Sequence, residues 1–450
     1  MRRALRTLSA PACCALLVLA AAGPVANGEA AGNAALPIDL ATTLRLAGAQ
    51  NLDVQLARNA VEQAHAGTLS AMGGFLPSIV PAARYLRHTG AVQAADGSML
   101  DADKRSEEIG IALTGQVAVG EAVFATLQGH RLVSAAEAGA QAQQQSVALL
   151  AAQQYFELVR ARALGVVLAQ ALAVSRNYQQ QLGEAVSIGI AFKGDELRVT
   201  TQSERLQLDL TRAQQQQRIA AARLAQTLHL DPLVELAPAE AEPVPLALAD
   251  VSSTPAQLVS DALANRPELQ QSQALIAAAE QARRGALYGP LVPTLGMQIG
   301  AGHLEGRPDG LSSSGGATGD RMVGLSWRIG PGGLFDLGRI RASNSKLFAA
   351  QLSELKVRDE VSRQVVESHT RVQSLFEQVR VARLNMTSAT ETLRLSRERK
   401  ELGVGTVLED IQAQQEVVRA RSDYINAVTE LNQEQYGLMR AVGAGLASQP

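Results

Sequence analysis

The stretch MVGLSWRIGPGGLFDLG, residues 322–338, changes periodicity partway along. Val323, Leu325, Trp327 and Ile329 alternate with Met322, Gly324, Ser326 and Arg328. Side chains on a strand point to opposite faces in turn, so this spacing predicts a strand with one apolar face. Gly330, Pro331, Gly332 and Gly333 interrupt it, and a helical pattern follows from Leu334. What the apolar face touches decides the fold.

Three more stretches resemble it. In IGIALTGQVA, residues 109–118, Ile109, Ile111, Leu113 and Val117 share a face opposite Gly110, Ala112, Thr114, Gln116 and Ala118. Leu295, Met297 and Ile299 oppose Gly296, Gln298 and Gly300, and a less regular strand runs from Ser78 to His88, with Arg84, Arg87 and His88 near its end. Each is near the ~9–11 residues that cross an outer membrane when tilted. The small, polar faces suit a wet lumen and the apolar faces suit lipid; a sheet packed on helices gives the same alternation. Tyr85, Phe75, Phe124, Tyr288, Trp327 and Phe335 fall where an aromatic girdle would sit.

Helices dominate the rest. The pattern from Glu121 to about Glu184 contains no proline, nor does that from Leu334 to Lys400. At 1.5 Å per residue each would be roughly 100 Å long. In the last helix Ile411, Val418 and Ile425 recur every seven residues, continued by Asn432 and Met439, beside Val417, Tyr424, Leu431 and Leu438. Two adjacent seams imply two neighbouring helices, as in a closed ring.

The chain of 450 residues is 46% apolar, 3% aromatic and carries a formal charge of −2. That balance, with no basic stripe among aromatics, gives no argument for nucleic acid. Arg2, Arg3 and Arg6 precede APACCALLVLAAAG, which predicts a secretory signal over 1–30. Both cysteines, Cys13 and Cys14, lie inside it, so the mature chain is expected to have neither disulfide nor thiolate chemistry. No later segment has the ~18 consecutive apolar residues of a membrane helix.

Residues 44–79 resemble 258–295, which predicts an internal repeat: a first unit over 31–232, a proline-rich linker over 233–254, a second unit over 255–443 and a tail over 444–450. Asp39 is placed to cap the first helix of one unit, and Thr254 followed by Pro255 that of the other.

Four strands cannot close a barrel; about eight are needed. At this point the residues resemble a family. LVSDALANRPEL (258–269), LPSI (76–79), GLSWRIGPGGLFDLGRIRA (324–342) and GVGTVLEDIQAQQEVVRARSDYINAVTEL (403–431) are similar to segments of the TolC-like outer-membrane efflux proteins. The first strand–helix join, VAVGEAVFATLQG, departs from that pattern by lacking the proline. The resemblance implies a mostly α fold with a β-barrel part. Long coiled-coil helices would form an α-barrel, and four strands per chain would contribute to a twelve-stranded barrel in a homotrimer. It implies a location in the Gram-negative outer membrane, with most of the chain in the periplasm. It also implies a passive conduit, fed by an inner-membrane pump through a periplasmic adaptor. Ile109, Ile111, Leu113, Leu295, Met297, Ile299, Val323, Leu325, Trp327 and Ile329 would then face lipid.

No nucleophile, base and oxyanion donors come together in the sequence, so an enzyme is not expected, and no cofactor is implied. The six histidines lack metal-ligand spacing. The informative places are two helical hairpins, SIGIAFKGDE (187–196) and ELGVGTVLED (401–410). Gly189, Gly194, Gly403 and Gly405 are expected to permit the reversals through positive φ. The resemblance adds that these tips meet the adaptor, with Lys193 and Thr406 exposed for contact. It also implies that Glu409, Asp410 and Gln412 sit at a periplasmic constriction, where family members carry two acids three residues apart. A ring of Glu409 carboxylates would favour cations; acids there also favour a helix N-terminus through its dipole. The alternative function is a soluble periplasmic coiled-coil interaction protein, which explains the helices but not the strands.

Overall fold

A computed structural model describes residues 36–248, 253–308, 312, 314–402 and 404–445. The predicted signal, the end of the tail and Gly403 lie outside these.

The chain begins with a short strand, β1 (Leu36–Ile38), and two helices, α1 (Leu40–Gln50) and α2 (Leu52–Gly73). Asp39 caps α1 by accepting from Thr42 N at 2.8 Å. The pattern reads as one helix but breaks at Asn51, which caps α2 by accepting from Asp53 N and Val54 N. Its Nδ2 donates to Thr227 O at 2.9 Å, fixing the break to a distant helix.

Two long strands follow, β2 (Ser78–Gln93) and β3 (Met99–Ala118), then α3 (Val119–Ser187) and α4 (Lys193–Thr227). A short strand, β4 (Leu236–Pro238), pairs in parallel with β1. The second half runs α5 (Pro255–Asn265), α6 (Pro267–Tyr288), β5 (Thr294–Pro308), β6 (Ser314–Ser326), α7 (Leu337–Glu401) and α8 (Val407–Val442). Thr254 and Gln257 form the capping box that starts α5. Pro267 forces Arg266 into the extended region, which separates α5 from α6. At 69 and 65 residues, α3 and α7 are each about 100 Å long.

The four long strands form one antiparallel sheet in the order β2-β3-β5-β6. Register aligns the apolar positions: Leu113 pairs with Ile79 and Ile299, Val117 with Leu295, and Leu295 with Leu325. They therefore share one face. Along central β3, Ile109 and Ile111 are exposed, while Glu108, Gly110 and Ala112 between them are partly covered. Over that stretch of β3 the apolar face is therefore the more exposed one. Both edges, β2 and β6, lack a partner among the described residues.

The end of the opening stretch differs from expectation. The strand stops at Ser326, so Trp327 and Ile329 lie beyond it. Trp327 Nε1 donates to Leu291 O at 3.3 Å, and Ile329 bridges to Leu334. The glycine-rich turn sets this boundary. Gly330, Gly332 and Phe335 have positive φ, and a Cβ at Gly333 would lie 2.0 Å from Arg328 O. The first join needs no such loop: α3 starts directly after β3, and Gly120 lets it pass Gly289, whose oxygen a Cβ would meet at 2.3 Å.

The main core lies midway along α3 and at the C-terminal ends of α4 and α8, where Tyr155, Phe156, Leu158, Leu224, Leu228 and Tyr436 are buried together. The proline-rich linker is held there. Asn432 Oδ1 accepts from Leu246 N at 2.9 Å, and its Nδ2 donates to Val244 O at 2.8 Å. Gln435 Oε1 accepts from Leu248 N at 2.7 Å, and its Nε2 donates to Leu246 O at 2.8 Å. Two buried carboxamides thus act as the neighbouring strand this segment lacks.

Candidate functional site

The α3–α4 and α7–α8 hairpins turn at the same end of the molecule. Leu182 of α3, Val199 of α4 and Ile411 of α8 form a small core between them. Gln415 donates to Gln202 at 2.5 Å across the same junction.

The first tip runs from Ile188 to Phe192. Gly189 has φ +78°, as a reversal requires. Gly194 does not have positive φ; it lies in α4, where a Cβ would meet the Phe192 ring at 2.5 Å. Gly405 likewise serves close approach, since its Cβ would lie 2.7 Å from Lys400 N. Lys193 is exposed, with Nζ 2.6 Å from Glu196 Oε2. Ile188, Ile190 and Phe192 project into solvent here, as do Leu402 and Val404 at the second tip. The sequence reading passed over these apolar tips. Their signal was large apolar residues beside glycines in a turn, where none is needed for the fold.

Thr406 caps α8 by accepting from Glu409 N at 3.2 Å, so its hydroxyl is engaged. Glu409 and Gln412, three residues apart on α8, share one face. Gln412 is exposed, and Glu409 is part-covered with Arg399 Nη2 3.9 Å from its carboxylate.

Asp410 is placed differently from the expectation. Its side chain is 4% exposed and points between the hairpins, not toward an open surface. Lys400 Nζ lies 3.4 Å from Oδ2, which also accepts from Gln414 Nε2 at 3.3 Å. Oδ1 lies 4.0 Å from Arg397 Nε and accepts no hydrogen bond. Lys400 in turn sits 3.4 Å above the centroid of the Tyr178 ring on α3. About 100° of helix rotation separates an acid that could line a passage, Glu409, from one that ties three helices together, Asp410.

A second charged cluster lies near the middle. Arg266 is buried, pairs with Glu268 at 2.8 Å and donates to Gln364 at 2.6 Å. Arg440 reaches the same Glu268 oxygen at 3.0 Å. Burial pushes the Glu268 carboxyl up, but Arg266 and then Arg440 more than offset it and hold it below its ordinary value.

No group of three or more potential metal ligands occurs among the described residues. Of the expected lipid-facing residues, Ile109, Ile111, Ile299, Val323 and Leu325 are exposed on the sheet's apolar face. Leu113, Leu295 and Met297 share that face but are half-buried near the helices. Trp327 and Ile329 are exposed in the join.

Residues 258–444 match the outer membrane efflux protein family. No curated protein matches the chain in sequence. Solved structures share the fold. The outer-membrane channel OprN is 19% identical, covers 91% of this chain and 90% of its own, and superposes with a TM-score of 0.75. The Campylobacter jejuni CmeC outer membrane channel is 17% identical, with 90% and 85% covered and a TM-score of 0.76. The open state of the Neisseria gonorrhoeae MtrE outer membrane channel is 17% identical, with 90% and 89% covered and a TM-score of 0.71. The chain has the TolC-like fold, and its second half carries the family's sequence.

Proposed function

We propose that three copies of the chain form a passive conduit through the Gram-negative outer membrane, with the helices standing in the periplasm. An adaptor would meet the hairpin tips, and an inner-membrane pump would supply the substrate. One observation carries this reading: a sheet with a continuous, exposed apolar face and two edges, of 16 and 13 residues, unpaired among the described residues. Such edges are a hazard in water and are removed by closure into a barrel. Three sheets of four strands supply twelve, above the minimum for a membrane barrel.

The helices support the same arrangement. Phe348, Val366 and Leu384 on α7 are exposed and lie at intervals of about five helical turns, on one face. Leu352, Leu355 and Val381 lie close to the same stripe. A neighbouring protomer's helix is the natural cover for it.

The decisive experiment treats isolated membranes with high salt and then carbonate, and reconstitutes the purified chain in planar bilayers. A conduit resists both extractions and gives discrete conductance steps. Release by carbonate, with no conductance, would transfer the assignment to a soluble coiled-coil protein.

A further inference from the structure

The two open edges of the sheet fit one another. β2 runs away from the helices and β6 runs back toward them, so β6 of one protomer can pair antiparallel with β2 of the next. Within the protomer, register aligns Asp320 on β6 with Gly300, Gly300 with Ala112, and Ala112 with Val80 on β2. This row lies on the face opposite the apolar one. Asp320 is exposed, faces a glycine, and has no hydrogen bond or ion pair among the described residues. Arg84 lies on the same face of β2. It is exposed and stands opposite Glu108, yet no ion pair joins the two. One open edge thus carries an unpaired acid and the other an unpaired base.

Closure decides how these edges meet. Strands about 4.8 Å apart and tilted ~35–45° need a total stagger of roughly 12–18 residues around twelve strands. Threefold symmetry gives each protomer a third of this, about four to six residues. An odd stagger would turn one protomer's apolar face into the lumen, which leaves about four or about six. A shift toward the loop end of β2 keeps all 13 residues of β6 beside the 16 of β2. The opposite shift leaves most of β6 hanging past Ser78. A stagger of about four places Asp320 directly opposite Arg84. A stagger of about six places it opposite Leu86, with Arg84 on the diagonal and within reach of its long side chain. Both bring the same two charges together.

We propose that Asp320 of one protomer forms an ion pair with Arg84 of the next, at each seam of the barrel and on its lumen side. The inference rests on the conduit reading. An exposed pair adds little to affinity. Its effect is to favour the staggered register over the unstaggered one, in which Asp320 meets Val80.

The test uses the full-length protein purified in detergent. Gels read the temperature at which the oligomer dissociates in dodecyl sulfate for wild type, D320R, R84D and the exchanged variant D320R/R84D. Each single reversal sets like charges side by side and should lower that temperature by roughly 2–4 °C. The exchange should recover most of the loss; losses that simply add would overturn the proposal. Cysteine pairs give a second readout that does not depend on stability, since the mature chain is expected to hold no other cysteine. Oxidation should link protomers in D320C/R84C or D320C/L86C. Linking in D320C/V80C alone, or in none of the three, would overturn the staggered seam. Absence of any oligomer in wild type would instead remove the conduit reading itself. A wild-type trimer with additive losses removes only this inference.

Discussion

Lys400 holds its ammonium 3.4 Å from the buried Oδ2 of Asp410, while Arg397 Nε lies 4.0 Å from Oδ1. Oδ1 accepts no hydrogen bond. A buried carboxylate left half-satisfied is a weak joint, because its desolvation is not fully repaid. The joint links α7 and α8, and through the Lys400–Tyr178 contact it reaches α3. Separating the hairpins therefore costs less here than along the leucine and valine seams.

Asp410→Asn should remove that tie at a cost of about 2 kcal/mol to the junction. In a reconstituted pore the expected outcome is a larger mean conductance with trimer assembly unchanged on native gels. Unchanged conductance would mean that the joint does not limit the passage.

In the conduit reading Glu409 is the acid placed to face a passage. Replacing it with glutamine removes one negative charge per protomer with little change of shape. Reversal potentials under a salt gradient should shift toward lower cation preference. If they do not, Glu409 serves only the start of α8, through the helix dipole.

The clamp on the linker gives a stability prediction. Asn432→Leu leaves Val244 O and Leu246 N without partners, and a buried unpaired polar group costs about 1–3 kcal/mol. Gln435→Leu does the same to Leu246 O and Leu248 N. Each should lower the denaturation midpoint, and limited proteolysis should cut first within residues 239–254. Cutting elsewhere first would show that the linker is held by its apolar contacts instead.

Acid should loosen the Arg266–Glu268–Arg440 cluster. Glu268 is held below its ordinary value of 4.5, so its stabilising contribution is complete above that pH. It is lost as pH falls through the lower folded value. Glu268→Gln should destabilise the protein at pH 7 by about 3 kcal/mol, since Arg266 is left buried without its partner. The gap between variant and wild type should narrow in thermal melts as pH falls through that folded value. A gap that persists unchanged would assign the effect to packing.

Local spacing carried most of the architecture. The strands of the sheet, the two long helices, the hairpin tips and the caps at Asp39 and Thr254 were legible because each depends on residues a few positions apart. A period of two marks a face of a strand, a period of 3.6 a face of a helix, and an oxygen before a helical run a cap. The sequence by itself also determined that the sheet has one apolar face. Tertiary structure decided what no local pattern contains. The strand's end at Ser326 follows from the close approach of Gly333 to Arg328 O. Asn432 reads as a member of a heptad seam, yet with Gln435 it holds a segment more than 180 residues away in the chain. Glu409 and Asp410 are neighbours of the same charge, and only the packing of α8 against α7 and α3 turns one outward and buries the other. A helix rotates about 100° per residue, so adjacent acids meet different surroundings, and the neighbouring helices determine which surroundings those are.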